Sequence, residues 1–389
     1  MRMKKLAPVG LIVWLVISNG IAIAAPPATA QDTFMVDGPV HAIAQVGSVV
    51  WVAGRFGSVL DQNGSVAAPA DNVAAFDLAT GAQASVDPPN ATGTAAIVYD
   101  LSVSGTTVYL AGTFTAVNGE ARQNLAAFDG TTGALLAFHP AAGKLRSVLA
   151  TGTRVFAGGT KLKSYRLDGT RDSAFAIVVP DVDPTLRGHA LAPTFRDLAW
   201  SGTDLVGACA CDTVNGAPTK ALVRIDATTG ALQAWTPNVS ANVDSAAFGE
   251  AVLVESGTVF LAAGGSDFTA AFDLSTGARR WREDTSGSSQ ALASVGGQLV
   301  VGGHFQWVQV GSSGQCGSNG TPNTSCWNQP RLFAVDKATG APDQSWAPGV
   351  CCKYHGIWAV VPDSSGGLLV GGEFTKLNGT LQTYYGRLV

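Results

Sequence analysis

Charge is scarce in this chain: only 13% of its 389 residues are Asp, Glu, Lys or Arg, about half the ordinary share of a globular protein. The formal net charge is −4 and the 24 basic residues form no run. The electrostatic footprint of a nucleic-acid binder is therefore missing. Histidine is equally thin. His41, His139, His189, His304 and His355 are scattered, with no His-x-His or His-x-x-x-His spacing, so no metal site and no cofactor are expected. Asp61-Gln62-Asn63-Gly64-Ser65 has the look of a calcium loop but lacks the full ligand series and its closing Glu. There is no Gly-x-Ser-x-Gly elbow, and no Ser, His and acid can be assigned as a triad. Paired glycosidase carboxylates would leave no local motif, so an exported enzyme stays open as an alternative without a nominated catalytic residue. After the N-terminal stretch no second long apolar run occurs, and no later integral membrane segment is expected.

That N-terminal stretch is itself informative. Arg2, Lys4 and Lys5 precede an apolar segment from Leu11 to Ala25, and Ala28-Thr29-Ala30 follows just before Gln31. Charged, apolar and small-residue regions in that order predict a signal peptide over 1–30, with cleavage after Ala30 and a mature domain over 31–389. The expected location is secreted, periplasmic or extracellular, where disulfides are permitted. Of the six cysteines, Cys316 and Cys326 bracket a polar loop within an insertion at about 307–330 and are expected to bridge it. Cys209, Cys211, Cys351 and Cys352 leave three options open: two local bridges, cross-pairing, or reduced thiols.

What the chain has in plenty is glycine, 47 residues, and repetition. An apolar run ending in small residues and usually Phe appears at Val50 to Phe56 and Val108 to Phe114. It returns near Val155, Leu205, Val259, Leu299 and Leu368, making seven copies. Five copies are followed by Asp-x-x-Thr-Gly, at Asp77, Asp129, Asp226, Asp273 and Asp336. Asp and Thr can bond nearby backbone N–H groups while Gly accepts a positive φ, so these read as hairpin corners. Asn63-Gly64, Asn118-Gly119, Asn215-Gly216 and Asn378-Gly379 add hairpin signals between the two signatures. Strands at repeats of about 40 to 70 residues predict an all-β, seven-bladed β-propeller with four-stranded antiparallel blades. The seventh copy stops after its third strand, and Asp32 to Val40 is expected to supply the fourth, closing the ring and hiding two sheet edges.

Gly-Gly-Glu-Phe-Thr-Lys-Leu-Asn-Gly at 371 to 379 and Ala-Gly-Thr-Phe-Thr-Ala-Val-Asn-Gly at 111 to 119 resemble the delta-sixty repeat of secreted bacterial β-propellers. Leu167 to Phe175 matches the strand-turn half of that repeat. The resemblance covers nearly all of 32–389; it implies the propeller fold and carries no catalytic motif. Ala270-Ala271-Phe272-Asp273-Leu274-Ser275-Thr276-Gly277 followed by Trp281 is also similar to the tryptophan-docking repeat of quinoprotein-like propellers and of an outer-membrane assembly lipoprotein. That resemblance implies that Trp235, Trp281, Trp346 and, in the second repeat, Phe138 pack between blades. Some quinoproteins set a vicinal disulfide against their cofactor, which draws notice to Cys351-Cys352, but the calcium ligands and catalytic aspartate of that family have no counterparts here.

Aligning the first strand of each repeat places His41, Tyr99, Arg146, Arg196, Glu250, Gln290 and Trp358 at its second position. In an up-and-down blade these seven would ring one mouth of the central channel; the plainer reading is solvated strand starts. The sequence thus points to a monomeric, non-catalytic binding or surface-interaction module for an unknown protein or glycan ligand, with the mouth as its candidate site. The alternatives are an exported propeller enzyme, either a hydrolase or a quinoprotein-like oxidoreductase, and a cell-envelope assembly scaffold.

Overall fold

The computed structural model describes residues 25–182, 192–237, 239, 247–310, 325–351 and 355–389. Among these every regular element is a strand, and no helix is long and apolar enough to cross a membrane. Cys316, Cys352 and most of residues 1–30 lie outside the described residues, as does the middle of the insertion. Cys326 and Cys351 are each in a disulfide, and Cys209 bridges Cys211 locally, the first of the options open for that pair.

The seven copies fold as seven antiparallel sheets. Their inner strands are Val40–Val46, Val98–Ser104, Leu145–Ala150, Thr194–Trp200, Phe248–Glu255, Ser289–Val295 and Gly356–Pro362, and each pairs with the strand that follows it. Each inner strand also packs on the inner strand of the next sheet, and the seventh packs on the first. Second strands such as Asp204–Ala210 and Thr258–Gly264 are buried along their whole length. A strand covered on both faces by neighbouring sheets needs apolar residues on both, which is why these runs do not alternate. Gly112, which ends one such strand, lies opposite an irregularity in the inner strand, where a Cβ would overlap the Ile97 carbonyl oxygen. Cys209 takes the corresponding place in the fourth sheet.

Two expectations need correction. Only the fifth and seventh sheets carry four hydrogen-bonded strands. In the five others the outer strand shrinks to isolated bridges, a single one in four sheets, as at Phe76↔Gln83 and Phe128↔Leu135, and two in the third. Prolines such as Pro88, Pro140 and Pro342 soon follow or share these bridges and supply no N–H to extend them, whereas Arg279–Asp284 in the fifth sheet has none and runs six residues. The second correction concerns the N-terminus. The strand that joins the last sheet is Ala30–Gln31, in register with Leu388 and Arg387, not Asp32 to Val40. Met35–Val36 instead pairs with Ser58–Leu60 in a small satellite sheet.

Such satellites were not foreseen. Five small sheets accompany the main ones among the described residues, and three are built on Asn-Gly hairpins. Asn118, Asn215 and Asn378 take φ of 52°, 49° and 49° and are each followed by a positive-φ glycine, the two left-handed residues of a type I′ turn. Each Asn also accepts a backbone N–H from the segment arriving from the preceding sheet: Asn90, Val179 and Gly349 respectively. The turn residue therefore clasps two repeats together. The Asp-x-x-Thr-Gly corners do likewise. Gly340 has φ +77°, and a Cβ there would lie 2.6 Å from the indole of Trp281 in the preceding sheet.

Candidate functional site

The seven residues aligned from the sequence occupy one equivalent structural position. In every inner strand the pairing register slips at that residue: between Val40 and Ala42, Val98 and Asp100, Leu145 and Ser147, Phe195 and Asp197, Gly249 and Ala251, Ser289 and Ala291, Ile357 and Ala359. His41, Tyr99, Arg146, Arg196, Glu250, Gln290 and Trp358 are thus the unpaired residues of seven β-bulges. A bulge bends its strand and re-aims the extra side chain; here all seven converge on one cavity of about 180 Å³. A deeper space of about 270 Å³ continues from it down the inner strands to Asp100 and Asp197. A wider hollow of about 560 Å³ between the first two sheets is open and brings together no comparable set.

One side of the mouth is aromatic. His41 stacks on Trp358 with ring centroids 4.4 Å apart and meets Tyr99 at 5.2 Å. The Arg146 guanidinium lies 3.9 Å over the Tyr99 ring. Gln290, with its amide turned to satisfy both neighbours, accepts from Trp358 Nε1 at 3.1 Å and donates to the His355 carbonyl at 2.9 Å. Burial, reinforced by Arg146, lowers the His41 pKa to about 4, so His41 is a neutral ring at neutral pH. The other side is charged: Arg196 Nη1 contacts Glu250 Oε2 at 2.7 Å.

The donor and acceptor inventory is unbalanced. Glu250 is the one carboxylate in the ring of seven, and Arg196 already engages it. Arg196 Nε is buried with no acceptor among the described residues. Arg146 lies over the Tyr99 ring, feels the Glu250 carboxylate through space, and makes no hydrogen bond to an acceptor among the described residues. A guanidinium offers five N–H donors and accepts nothing, so the mouth has donors to spare.

Below the ring, Asp100 and Asp197 were not singled out from the sequence. Each follows a bulge residue and bridges two sheets. Asp100 accepts from its neighbour Leu101 N at 2.8 Å and from Val148 N of the third sheet at 2.7 Å. Asp197 accepts from Leu198 N at 2.7 Å and from Val252 N of the fifth sheet at 2.8 Å. Burial beneath the inner strands raises both: Asp197 to about 6, and Asp100 well above the usual carboxylate range, with repulsion from Asp197 adding to burial. Residues Ala42, Ala251, Ala291 and Ala359 hold the same place in other sheets, so the sequence signal was an acid standing among alanines.

Trp235, Trp281 and Trp346 are buried between sheets, and their indole N–H groups donate to the carbonyls of Asp273, Lys337 and Pro27. Phe138 is buried edge-on against Tyr109. Trp51, which the repeat reading passed over, docks in the same way on the Gly130 carbonyl at 3.0 Å. Cys351 is paired with Lys376 in a satellite sheet and does not line the mouth. No group of three or more His, Cys, Asp or Glu able to hold a metal occurs among the described residues.

Comparison with solved structures agrees with this architecture. The chain superposes on the WD40 β-propeller domain of Doa1 with a TM-score of 0.53, at 12% identity over 92% of this chain and 96% of that one. The computationally designed Ika8 protein gives 0.51 at 13% identity, covering 94% and 99%. The extracellular domain of the hybrid two-component system BT4673 from B. thetaiotaomicron gives 0.52 at 12% identity, covering 93% of this chain and 39% of that one. The chain is a β-propeller. A family model described as outer membrane protein assembly factor BamB matches residues 213–342, about a third of the chain. No curated protein matches it.

Proposed function

We propose that this chain is an exported, seven-bladed propeller, closed by its N-terminal strand, that acts as a binding module and receives an acceptor-rich, anionic group at the channel mouth. The observation that carries this reading is the donor excess: Arg146 and Arg196 Nε, without hydrogen-bond acceptors among the described residues, stand beside the aromatic wall of Tyr99, His41 and Trp358. A carboxylate matches the guanidinium fork, and an attached ring or apolar group can rest on the aromatic wall. The acidic sugar of a glycan and an acidic or C-terminal carboxylate of a protein both meet that description. Titration with sodium glucuronate and with a hydrophobic dipeptide, followed by tryptophan fluorescence, tests it. Quenching that is lost in Tyr99→Ala/Arg146→Ala/Trp358→Ala supports the mouth; unchanged affinity in that variant refutes it.

Two other readings have observations behind them. The match to the assembly-factor family over residues 213–342 favours a scaffold in the cell envelope, which co-purification of envelope proteins with the chain from its native host would support. The raised carboxyls of Asp100 and Asp197 favour a hydrolase. All four of their oxygens accept backbone N–H groups, two of them, from Val148 and Val252, on a neighbouring sheet, an arrangement that joins the sheets and keeps them from a reacting bond, so the binding role is preferred.

A further inference from the structure

The tryptophans that lock neighbouring sheets reveal what the first residues of the folded chain are for. Trp235 and Trp281 each donate to a carbonyl at the Asp-x-x-Thr-Gly corner of the following sheet, Asp273 O at 3.2 Å and Lys337 O at 2.9 Å. Trp346 in the sixth sheet shares a core with the seventh sheet, whose third strand is Tyr385–Leu388. Its indole N–H donates instead to the Pro27 carbonyl at 3.1 Å. The residues around Pro27 are built in just as firmly. Pro26 is buried, Asn378 donates its side-chain amide to the Ala28 carbonyl, and Thr29 exchanges both backbone hydrogen bonds with Val389, at 3.1 and 2.7 Å. Ala30 continues the ladder opposite Leu388 and packs against the core that holds Trp346.

Ala28-Thr29-Ala30, the small-residue triplet that marks a cleavage site in the sequence, is therefore part of the last sheet. Cutting after Ala30 would separate Pro26–Ala30 from the domain, leaving the Trp346 N–H without its acceptor and Leu388 and Val389 without their partners Ala30 and Thr29, which lengthens the exposed edge of the last sheet. A second Ala-x-Ala triplet, Ala22-Ile23-Ala24, stands where the apolar segment ends. We propose that processing occurs there, and that the mature chain begins at Ala25. The step is hydrolysis of the Ala24–Ala25 peptide bond by a leader peptidase of the exporting cell. Water adds its hydroxyl to the Ala24 carbonyl carbon and a proton to the Ala25 nitrogen, and no redox partner is needed. Pro26 and Pro27 then form the first contacts of the mature protein. This inference rests on the export reading above.

The test is N-terminal sequencing and intact-mass measurement of the full chain produced with its own leader in a bacterial host. Release of a protein beginning at Ala25 is the expected result. A protein beginning at Gln31 overturns the inference while leaving export intact, whereas an unprocessed, cell-retained chain overturns both. A second arm uses leaderless chains starting at Ala25 and at Gln31. The longer should melt several degrees higher, and Trp346→Phe should lower its melting temperature more than that of the shorter. Equal melting temperatures, with Trp346→Phe acting equally on both, would overturn the role given to Pro26–Ala30.

Discussion

Replacing Asp197 by Asn should change how stability depends on pH, with a sign and size set by the channel. Enclosure lifts the Asp197 carboxyl from its ordinary 3.8 to about 6. A group whose pKa is raised on folding contributes stability that is fully present below its unfolded value, and that contribution disappears as pH rises through the folded value. Stability attributable to Asp197 therefore falls between about pH 4 and pH 6. At about 1.4 kcal/mol per pH unit, the rise from 3.8 to about 6 amounts to about 3 kcal/mol. That figure is a ceiling, because Asp197 keeps partial access to the channel and water there screens its charge. Asn carries no titrating proton but offers one oxygen where Asp offers two, so one of the Leu198 and Val252 N–H groups loses its acceptor at every pH. The assay is urea unfolding of the parent chain and Asp197→Asn from pH 4 to pH 8. Taking the difference between the two proteins removes the acids that do not feel Asp197, including Asp77, Asp129 and Asp226, whose corner hydrogen bonds lower their pKa values and oppose the trend; Asp100, which Asp197 pushes up, is relieved in the variant and shifts the difference in the same direction. The penalty of Asp197→Asn should shrink by up to about 3 kcal/mol between pH 4 and pH 7. A penalty that is flat across this range, or grows toward neutral pH, would refute the reasoning.

Other substitutions probe the joints between sheets. Trp281→Ala should cost about 3–5 kcal/mol, and Trp281→Phe, which keeps most of the packing but removes the N–H to Lys337 O, about 1–2 kcal/mol, both read by thermal or urea unfolding. Gly340→Ala places a Cβ against the same indole at a left-handed backbone position and should cost about 2–4 kcal/mol; a neutral result would show that the corner is not a joint. Arg387 holds the fully buried Asp363 side chain at 2.6 Å and reaches Gln31 and the Leu78 carbonyl. Arg387→Met should cost about 3–5 kcal/mol at neutral pH by stranding that carboxylate. Burial alone would raise the Asp363 pKa, but Arg387, Ser365 and the Gly367 N–H outweigh it and hold it low. The Arg387→Met penalty should therefore shrink as pH falls and Asp363 becomes protonated; an undiminished penalty in acid would place the role of Arg387 in packing instead.

The repeats were legible because their residues serve local geometry. An Asn-Gly pair, an Asp-x-x-Thr-Gly corner and a doubly buried Val-Tyr-Leu-Ala-Gly strand each meet a requirement of backbone or burial within a few residues, so pattern alone yields an all-β chain of seven units. The mouth was legible for a related reason. The second position of the inner strand recurs in every copy, so aligning the copies was enough to assemble His41, Tyr99, Arg146, Arg196, Glu250, Gln290 and Trp358. Alignment did not show that these are bulge residues, that Arg196 engages Glu250, or that Arg146 leans on Tyr99. Those relations join residues 47 to 54 positions apart through the packing of adjacent sheets.

The same division explains the two misplaced features. Whether an outer strand forms depends on its length of proline-free chain and on the sheet beside it, so four strands were expected where the sheets carry three. The N-terminal strand was placed a few residues too late because Met35 and Val36 look like a strand and are one, in a satellite sheet. By itself, the sequence determined the repeat, its turns, its buried strands and the set of side chains that share one structural position. Only the tertiary structure decided which residues meet across sheets, where Asp100 and Asp197 lie beneath the mouth, and that the Trp346 indole meets Pro27, because those contacts depend on the N-terminal segment and successive sheets being brought together in space.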